Sequence, residues 1–268
     1  MYKIIVDSCA DMTAEMREKY NPVLIPFRML LEDKEFVDDL SLDVDGFIDE
    51  FTRSKSAPKS SCPSPADYLH ALEGADEYYI ICLSKKLSGT HNSAMVAKNM
   101  FESEKRPGKV VVIDSKSAAC GETLLVAKIH EMKLQGKAFD TVVKEITKFV
   151  ESMKTFFVLE SFSNLIKNGR MPKWKGILAA TLQIIPIMHA EDGDIKVFEK
   201  LRNIERVYNR FVEVIRQGLI ASKRKLVCIS YVTDNSRAIQ IKKDLEHHCE
   251  NVEVLISKTA GLSSMSAD

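Results

Sequence analysis

Short β-branched runs alternate with longer segments of helical period along most of the chain, the pattern of an α/β protein with a parallel core. Lys3 to Ser8 (KIIVDS) predicts a first strand ending in an acidic and hydroxyl cap, with a helix from about Thr13 to Tyr20. Val23 to Phe27 predicts a second strand, and DGFIDEFTRS a short amphipathic helix. The segment SKSAPKSSCPSP is rich in serine and proline, so it predicts neither a helix nor a central strand. Its last residue, Pro65, suits the first turn of a helix in PADYLHALEG. Glu77 to Ser84 (EYYIICLS) is a nearly unbroken apolar run, as expected of a strand covered on both faces. A helix follows through HNSAMVAKNMFES. Lys109 to Ser115 then repeats the strand-then-Asp-Ser pattern, a long helix runs from about Gly121 to Gln135, and AFDTVVKEITKFVESM forms another.

The second half changes character. FFVLES predicts a strand, SFSNLIKNGRM a short helix ending in a glycine-containing turn, and KWKGILAATLQ a further helix. IIPIMHAEDGDIKVFEKLRN predicts a hairpin turning on Asp192-Gly193. The helix RVYNRFVEVIRQGLIAS, the strand KLVCISYVTD, a helix to about His248 and a last strand NVEVLIS complete the pattern. The change near residue 155 predicts two domains, 1–155 and 156–268.

The chain has 268 residues, 45% hydrophobic and 28% charged, which is an ordinary globular balance. Lys plus Arg equals Asp plus Glu at 38 each, so no net field draws the protein to nucleic acid or an anionic membrane. No stretch approaches the roughly 20 apolar residues of a membrane span. The apolar run in MYKIIVDSCAD is too short for a signal peptide, so the expected compartment is the cytoplasm. Cys9, Cys62, Cys82, Cys120, Cys228 and Cys249 form no CxxC pair and no zinc spacing, and read as structural.

Candidate chemistry gathers in hydroxyl-rich loops. Asp7 to Asp11, Lys59 to Ser64 and Leu87 to Ser93 each read as following a strand, and Ile113 to Glu122 is similar. In open α/β sheets ligands bind beyond the carboxyl ends of the strands, where helix N-termini and hydroxyls suit an anionic head group. The same residue types are ordinary N-caps. GxSxG, P-loop and GxGxxG motifs are absent. His91, inside SGTHNS, is the histidine placed to serve a serine of the Ser88–Ser93 loop in an acyl hydrolase or acyltransferase. Asp7 and Asp11 suit a divalent cation or, equally, helix caps. Arg170 and Arg202 are either solvated charges or partners of a carboxylate.

Six blocks in order, DSCAD, SSCPS, LSGTHNSA, VIDSKSAACGE, NGRM and IIPIMHAEDGDI, resemble the DegV family, the fatty-acid-binding subunits of bacterial fatty acid kinase. The resemblance implies a two-domain α/β fold, a Rossmann-like parallel sheet followed by an α/β domain with a mixed sheet. It also implies a long-chain fatty acid held between the domains, no cofactor or metal, and no catalytic residue in this chain. The implied partner is a separate dihydroxyacetone-kinase-like subunit that phosphorylates the carboxylate with ATP for phospholipid synthesis. A lipid-sensing role for the same pocket is the other reading. Carried over, the carboxylate ligands are Ser60, Ser61 and Ser93, with Arg170 and Arg202 in electrostatic support. Asp7, Ser8, Gly89, Thr90, Asp114 and Ser115 brace the loops.

KWKGILAATLQIIPIM offers apolar walls for an acyl tunnel, where each buried methylene contributes about 0.8 kcal/mol. The chain departs from the family pattern at Ser60 (threonine), Cys62 (glutamine) and Ile185 (lysine). SKTAGLSSMSAD lacks the His-Thr-Gly-Pro-Gly element of many relatives, leaving Thr259 and Ser263 as the hydroxyls in its place.

Overall fold

A computed structural model describes residues 1–54, 56–159, 161–171, 184–220 and 225–267. In chain order the first half holds β1 (Tyr2–Asp7), α1 (Ala14–Tyr20), β2 (Val23–Ile25), β3 (Arg28–Leu31), β4 (Lys34–Val37), α2 (Val44–Arg53), β5 (Lys59–Ser61) and α3 (Pro65–Ala71). It continues with β6 (Glu77–Cys82), α4 (Thr90–Ser103), β7 (Lys109–Asp114), α5 (Cys120–Leu134) and α6 (Phe139–Ser152). Then come β8 (Phe156–Phe157), α7 (Ser163–Lys167), β9 (Ile184–Glu191), β10 (Asp194–Arg202), α8 (Ile204–Ile220), β11 (Lys225–Tyr231), α9 (Ser236–His248), β12 (Val252–Lys258) and α10 (Gly261–Ala267).

Four strands form a parallel sheet in the order β2-β1-β6-β7. Alternate residues of each strand serve opposite faces. Ile4 and Val6 join Tyr79, Ile81, Leu125, Ile129 and Ile146 on the face covered by α5 and α6. Ile5 and Ile80 join Tyr68, Leu72, Ala97 and Phe101 on the face covered by α3 and α4. Burial on both faces explains the unbroken apolar runs, each fully buried side chain contributing about 1.5–3 kcal/mol. Local signals set the helix starts. Thr13 accepts from the Met16 amide ahead of α1 at 3.2 Å, and Ser64 and Asp67 form a capping box at α3 with Pro65 just inside.

The hairpin of β9 and β10 turns on Asp192 (φ 49°) and Gly193 (φ 81°), as an Asp-Gly turn requires. It extends to an antiparallel sheet β10-β9-β8, while β11 and β12 pair in parallel. The second half thus carries both antiparallel and parallel pairing. The β11–β12 pair lies beside α5, and Leu255 packs against the core of the first sheet.

Several details differ from the sequence pattern. Val23 to Phe27 is a strand only to Ile25, and among the described residues of FFVLES the strand is Phe156–Phe157. The chain from Arg28 to Val37 forms an unforeseen hairpin, β3–β4, because its apolar residues alternate over only four-residue strands. Lys59 to Ser64 does not follow a strand: its first three residues are β5, an edge strand antiparallel to β3 that pairs Ser60 with Met29. α10 was also not foreseen. Gly261 through Met265 are buried, and Leu262 and Met265 pack with Phe27, Met29, Phe47 and Phe51. The helix expected over KWKGILAATLQ lies outside the described residues. Among the described residues, no helix is long and apolar enough to cross a membrane.

Candidate functional site

The strand order reverses between β1 and β6, and the crevice at their carboxyl ends is where open α/β sheets take ligands. Asp7 ties the two loops together there. Its carboxylate accepts from the Leu83 amide at 2.9 Å, the Cys9 amide at 3.2 Å and the Thr90 hydroxyl at 3.3 Å. Ser8 donates to Asp38 at 2.8 Å and accepts from the Phe27 amide at 3.0 Å. Asp114 accepts from the amides of Lys85 (3.2 Å) and Lys116 (3.0 Å), and Ser115 donates to the Ser117 carbonyl at 3.0 Å. These side chains hold backbone, so the loops keep one shape.

Beneath these loops lies a cluster of buried acidic side chains, Asp7, Asp11 and Glu122. Burial pushes the Asp7 carboxyl up to about 6 and the Asp11 carboxyl up to about 7. Glu122, fully buried, is held well above the ordinary carboxyl range by burial and then by the charge of Asp7. Ligand atoms of Asp7, Cys9 and Glu122 all lie within 4.8 Å of one another. The Asp7 oxygens are already occupied by two amides and a hydroxyl, so they brace loops instead of standing open to a cation.

The loop after β6 borders a cavity of about 360 Å³. β5 and its loop supply Ser60, Ser61 and Cys62; the loop from β6 supplies Leu87, Ser88 and Gly89; the turn after α7 supplies Asn168 and Arg170; Phe27 completes the wall. The two loops approach closely at Gly89, where a Cβ would stand 3.3 Å from the Cys62 sulfur. Arg170 crosses the space: its Nη2 donates to Ser60 Oγ at 2.9 Å and its Nε to the Leu87 carbonyl at 3.4 Å. Arg170 Nη1 and Asn168 Nδ2 are buried and, among the described residues, have no hydrogen-bond partner. Leu87 also packs with Phe162, Leu165, Met171, Met188 and Ile195, so the polar cavity adjoins an apolar cluster.

Of the predicted carboxylate ligands, the structure brings Ser60, Ser61 and Arg170 together. Ser93 sits in the first turn of α4, buried, its amide donating to the Gly89 carbonyl at 3.1 Å, and it does not line the cavity. Arg202 is exposed at the end of β10 and does not line the cavity. Thr259 and Ser263 are turned inward: Thr259 pairs with the Ser264 hydroxyl at 2.7 Å and Ser263 donates to the Cys9 carbonyl at 3.2 Å. Burial lowers the pKa of His91, and among the described residues it makes no hydrogen bond to a serine, so no nucleophile–base pair is assembled. Asn168 is a lining residue that sequence reasoning did not single out, and Leu87 and Ser88 were marked only as members of the Leu87 to Ser93 loop. Their signal was adjacency to Arg170 and Gly89 in motifs already marked.

Fold and cavity together define an α/β protein with a cationic, hydroxyl-lined recess beside the carboxyl edge of a parallel sheet. The family model for uncharacterised DegV proteins matches residues 1–265, and the chain belongs to the DegV family. A DegV domain-containing protein of Streptococcus pneumoniae is 33% identical over 271 residues, covering 100% of this chain and 95% of that relative. A DegV family protein from Ruminococcus gnavus, refined with vaccenic acid, superposes with a TM-score of 0.93 at 31% identity, covering 100% and 96% of the two chains. The Streptococcus pneumoniae fatty acid kinase B3 protein loaded with linoleic acid superposes with a TM-score of 0.86 at 33% identity, with the same coverage. A DegV family protein of Eubacterium eligens loaded with heptadecanoic acid reaches 0.89 at 25% identity over 100% and 96% of the chains.

Proposed function

We propose that this chain binds one long-chain fatty acid and presents its carboxylate to a separate ATP-dependent fatty acid kinase subunit. In this reading Ser60, Ser61 and Arg170 hold the carboxylate, and the acyl chain runs past Leu87 into the second domain, residues 156–268. Ser93 supports the cavity from behind Gly89, and Arg202 lies outside it. The observation that carries the reading is the pair of buried donors with no hydrogen-bond partner among the described residues, Arg170 Nη1 and Asn168 Nδ2, in the recess that holds the Ser60 hydroxyl. An unpaired buried donor costs about 1–3 kcal/mol, and a carboxylate in the recess relieves that cost with charge-assisted bonds. The apolar cluster adjoining at Leu87 suits a hydrocarbon tail, and the fatty acids held by relatives support the same ligand class.

The test is native mass spectrometry of the purified protein, followed by fluorescence titration with cis-parinaric acid and displacement by oleate. The expected result is one fatty acid per chain, with Arg170→Ala binding roughly 10- to 100-fold more weakly, the range for losing a charge-assisted contact of about 1.5–3 kcal/mol. A chain that stays empty with oleate sinks the lipid reading. The kinase half is tested separately: loaded protein mixed with a fatty acid kinase subunit and ATP should yield acyl phosphate, and a loaded protein that yields none overturns the presentation role alone.

A further inference from the structure

α10 is fixed to the first half of the molecule by buried carboxylates. Asp38 accepts from the amides of Gly261 (2.8 Å) and Leu262 (3.1 Å), and Asp11 accepts from the Ala260 amide at 2.9 Å. A Cβ on Gly261 would meet Leu42, Met29 and Asp38 at 2.6–2.7 Å, so the helix start is seated with no room for a side chain. The other end of this short helix must satisfy carbonyls that have no helical amide to accept from. One of them, the Met265 carbonyl, accepts from Asn164 Nδ2 at 3.0 Å, and both residues are buried.

Asn164 belongs to α7, and Arg170 lies in the turn that follows it. The Asn164 carbonyl accepts from the Asn168 amide at 2.9 Å, and the neighbouring Leu165 carbonyl accepts from the amides of Arg170 (2.9 Å) and Met171 (3.2 Å). Gly169, at φ 74°, lets the chain reverse there. One side chain therefore separates the seated helix α10 from the backbone that aims the guanidinium at Ser60. We infer that Asn164 is a positioning residue for Arg170, tying the turn that bears the guanidinium to the rigid C-terminal helix. The inference rests on the fatty-acid reading above, and it makes α10 part of the head-group machinery although none of its residues lines the cavity.

The experiment is a double-mutant cycle on the full chain, read by cis-parinaric acid binding with oleate displacement. Asn164→Leu keeps the volume and removes the donor; Asn164→Ala is made alongside it, and thermal unfolding is recorded for each. Each Asn164 variant should bind roughly 3- to 10-fold more weakly in the native background and have no further effect in the Arg170→Ala background, because a residue that acts through Arg170 has nothing left to position. Three outcomes overturn the inference: native affinity in both Asn164 variants while Arg170→Ala binds weakly, losses that multiply in the double mutant, or loss of cooperative unfolding in both Asn164 variants. Native affinity in Arg170→Ala itself instead overturns the carboxylate reading on which the cycle rests.

Discussion

The Ser84 hydroxyl donates to the Gly193 carbonyl at 2.7 Å, joining the end of the parallel sheet to the tip of a hairpin 109 residues later. Ser84 is fully buried, Gly193 has φ 81°, and a Cβ on Gly193 would meet Ser84 Oγ at 2.6 Å and Lys116 Cα at 3.3 Å. The tip also carries ion pairs from Asp192 to Lys116 (2.7 Å) and Lys86 (3.2 Å), with Asp192 65% exposed. The buried bond should outweigh the exposed pairs, which are screened by water. Ser84→Ala should cost about 1–3 kcal/mol by stranding a carbonyl. Asp192→Asn, which keeps the turn, should cost less than about 1 kcal/mol. Urea unfolding of the two variants compares them; equal costs would show that the ion pairs hold the tip.

Stability should fall as the solution is made more alkaline from about pH 5 to about pH 8. Asp7 and Asp11 are raised to about 6 and about 7 by burial, and Asp38 and Glu122 are raised as well. Between the unfolded carboxyl value near ~4 and these folded values, the folded chain holds more protons than the unfolded chain. Stability from these groups is therefore full below about pH 4 and is lost as pH rises through about 7, at up to about 1.4 kcal/mol per pH unit for each extra proton. Denaturant midpoints measured from pH 5 to 8 check the slope, and Asp11→Asn should flatten it. A midpoint that rises with pH would show that the acidic cluster is not protonated.

Ala119, the residue just before α5, has φ 54° and ψ −124°, a conformation that glycine adopts freely and alanine does not. Holding it costs about 1–3 kcal/mol, against about 0.5–1 kcal/mol for the extra unfolded-state freedom of glycine. Ala119→Gly should therefore raise stability by about 1 kcal/mol, measured by thermal or urea unfolding, and a lower midpoint would place the strain elsewhere.

Gly89→Ala should narrow the recess lined by Ser60 and Arg170, since the new methyl stands 3.3 Å from the Cys62 sulfur and that side chain must yield. A loss of affinity for oleate of several-fold is expected, with unfolding little changed. Adding Cys62→Ala should recover most of it, and additive losses would separate the two residues.

What the sequence determined by itself was the part governed by near neighbours and by repeated pattern. The apolar runs at Ile4–Val6 and Tyr78–Cys82, the Ser64 and Pro65 start of α3 and the Asp192-Gly193 turn depend on residues a few positions apart. The Ser-Gly-Thr and Gly-Arg blocks likewise marked two segments that line the cavity, and the Asp-Ser blocks marked the bracing loops at the carboxyl ends of β1 and β7, which share one edge because those strands are parallel. Only the tertiary structure decided that β5 is an edge strand beside β3, that Ser60 meets Arg170 across 110 residues, and that Arg202 lies apart from them. It alone seated α10 on Asp38, 223 residues earlier, and gave Asn164 its partner in Met265. A buried hydrogen bond between distant residues leaves no period or spacing in the chain, since its cause is the desolvation of groups brought together only when the sheets and helices have packed.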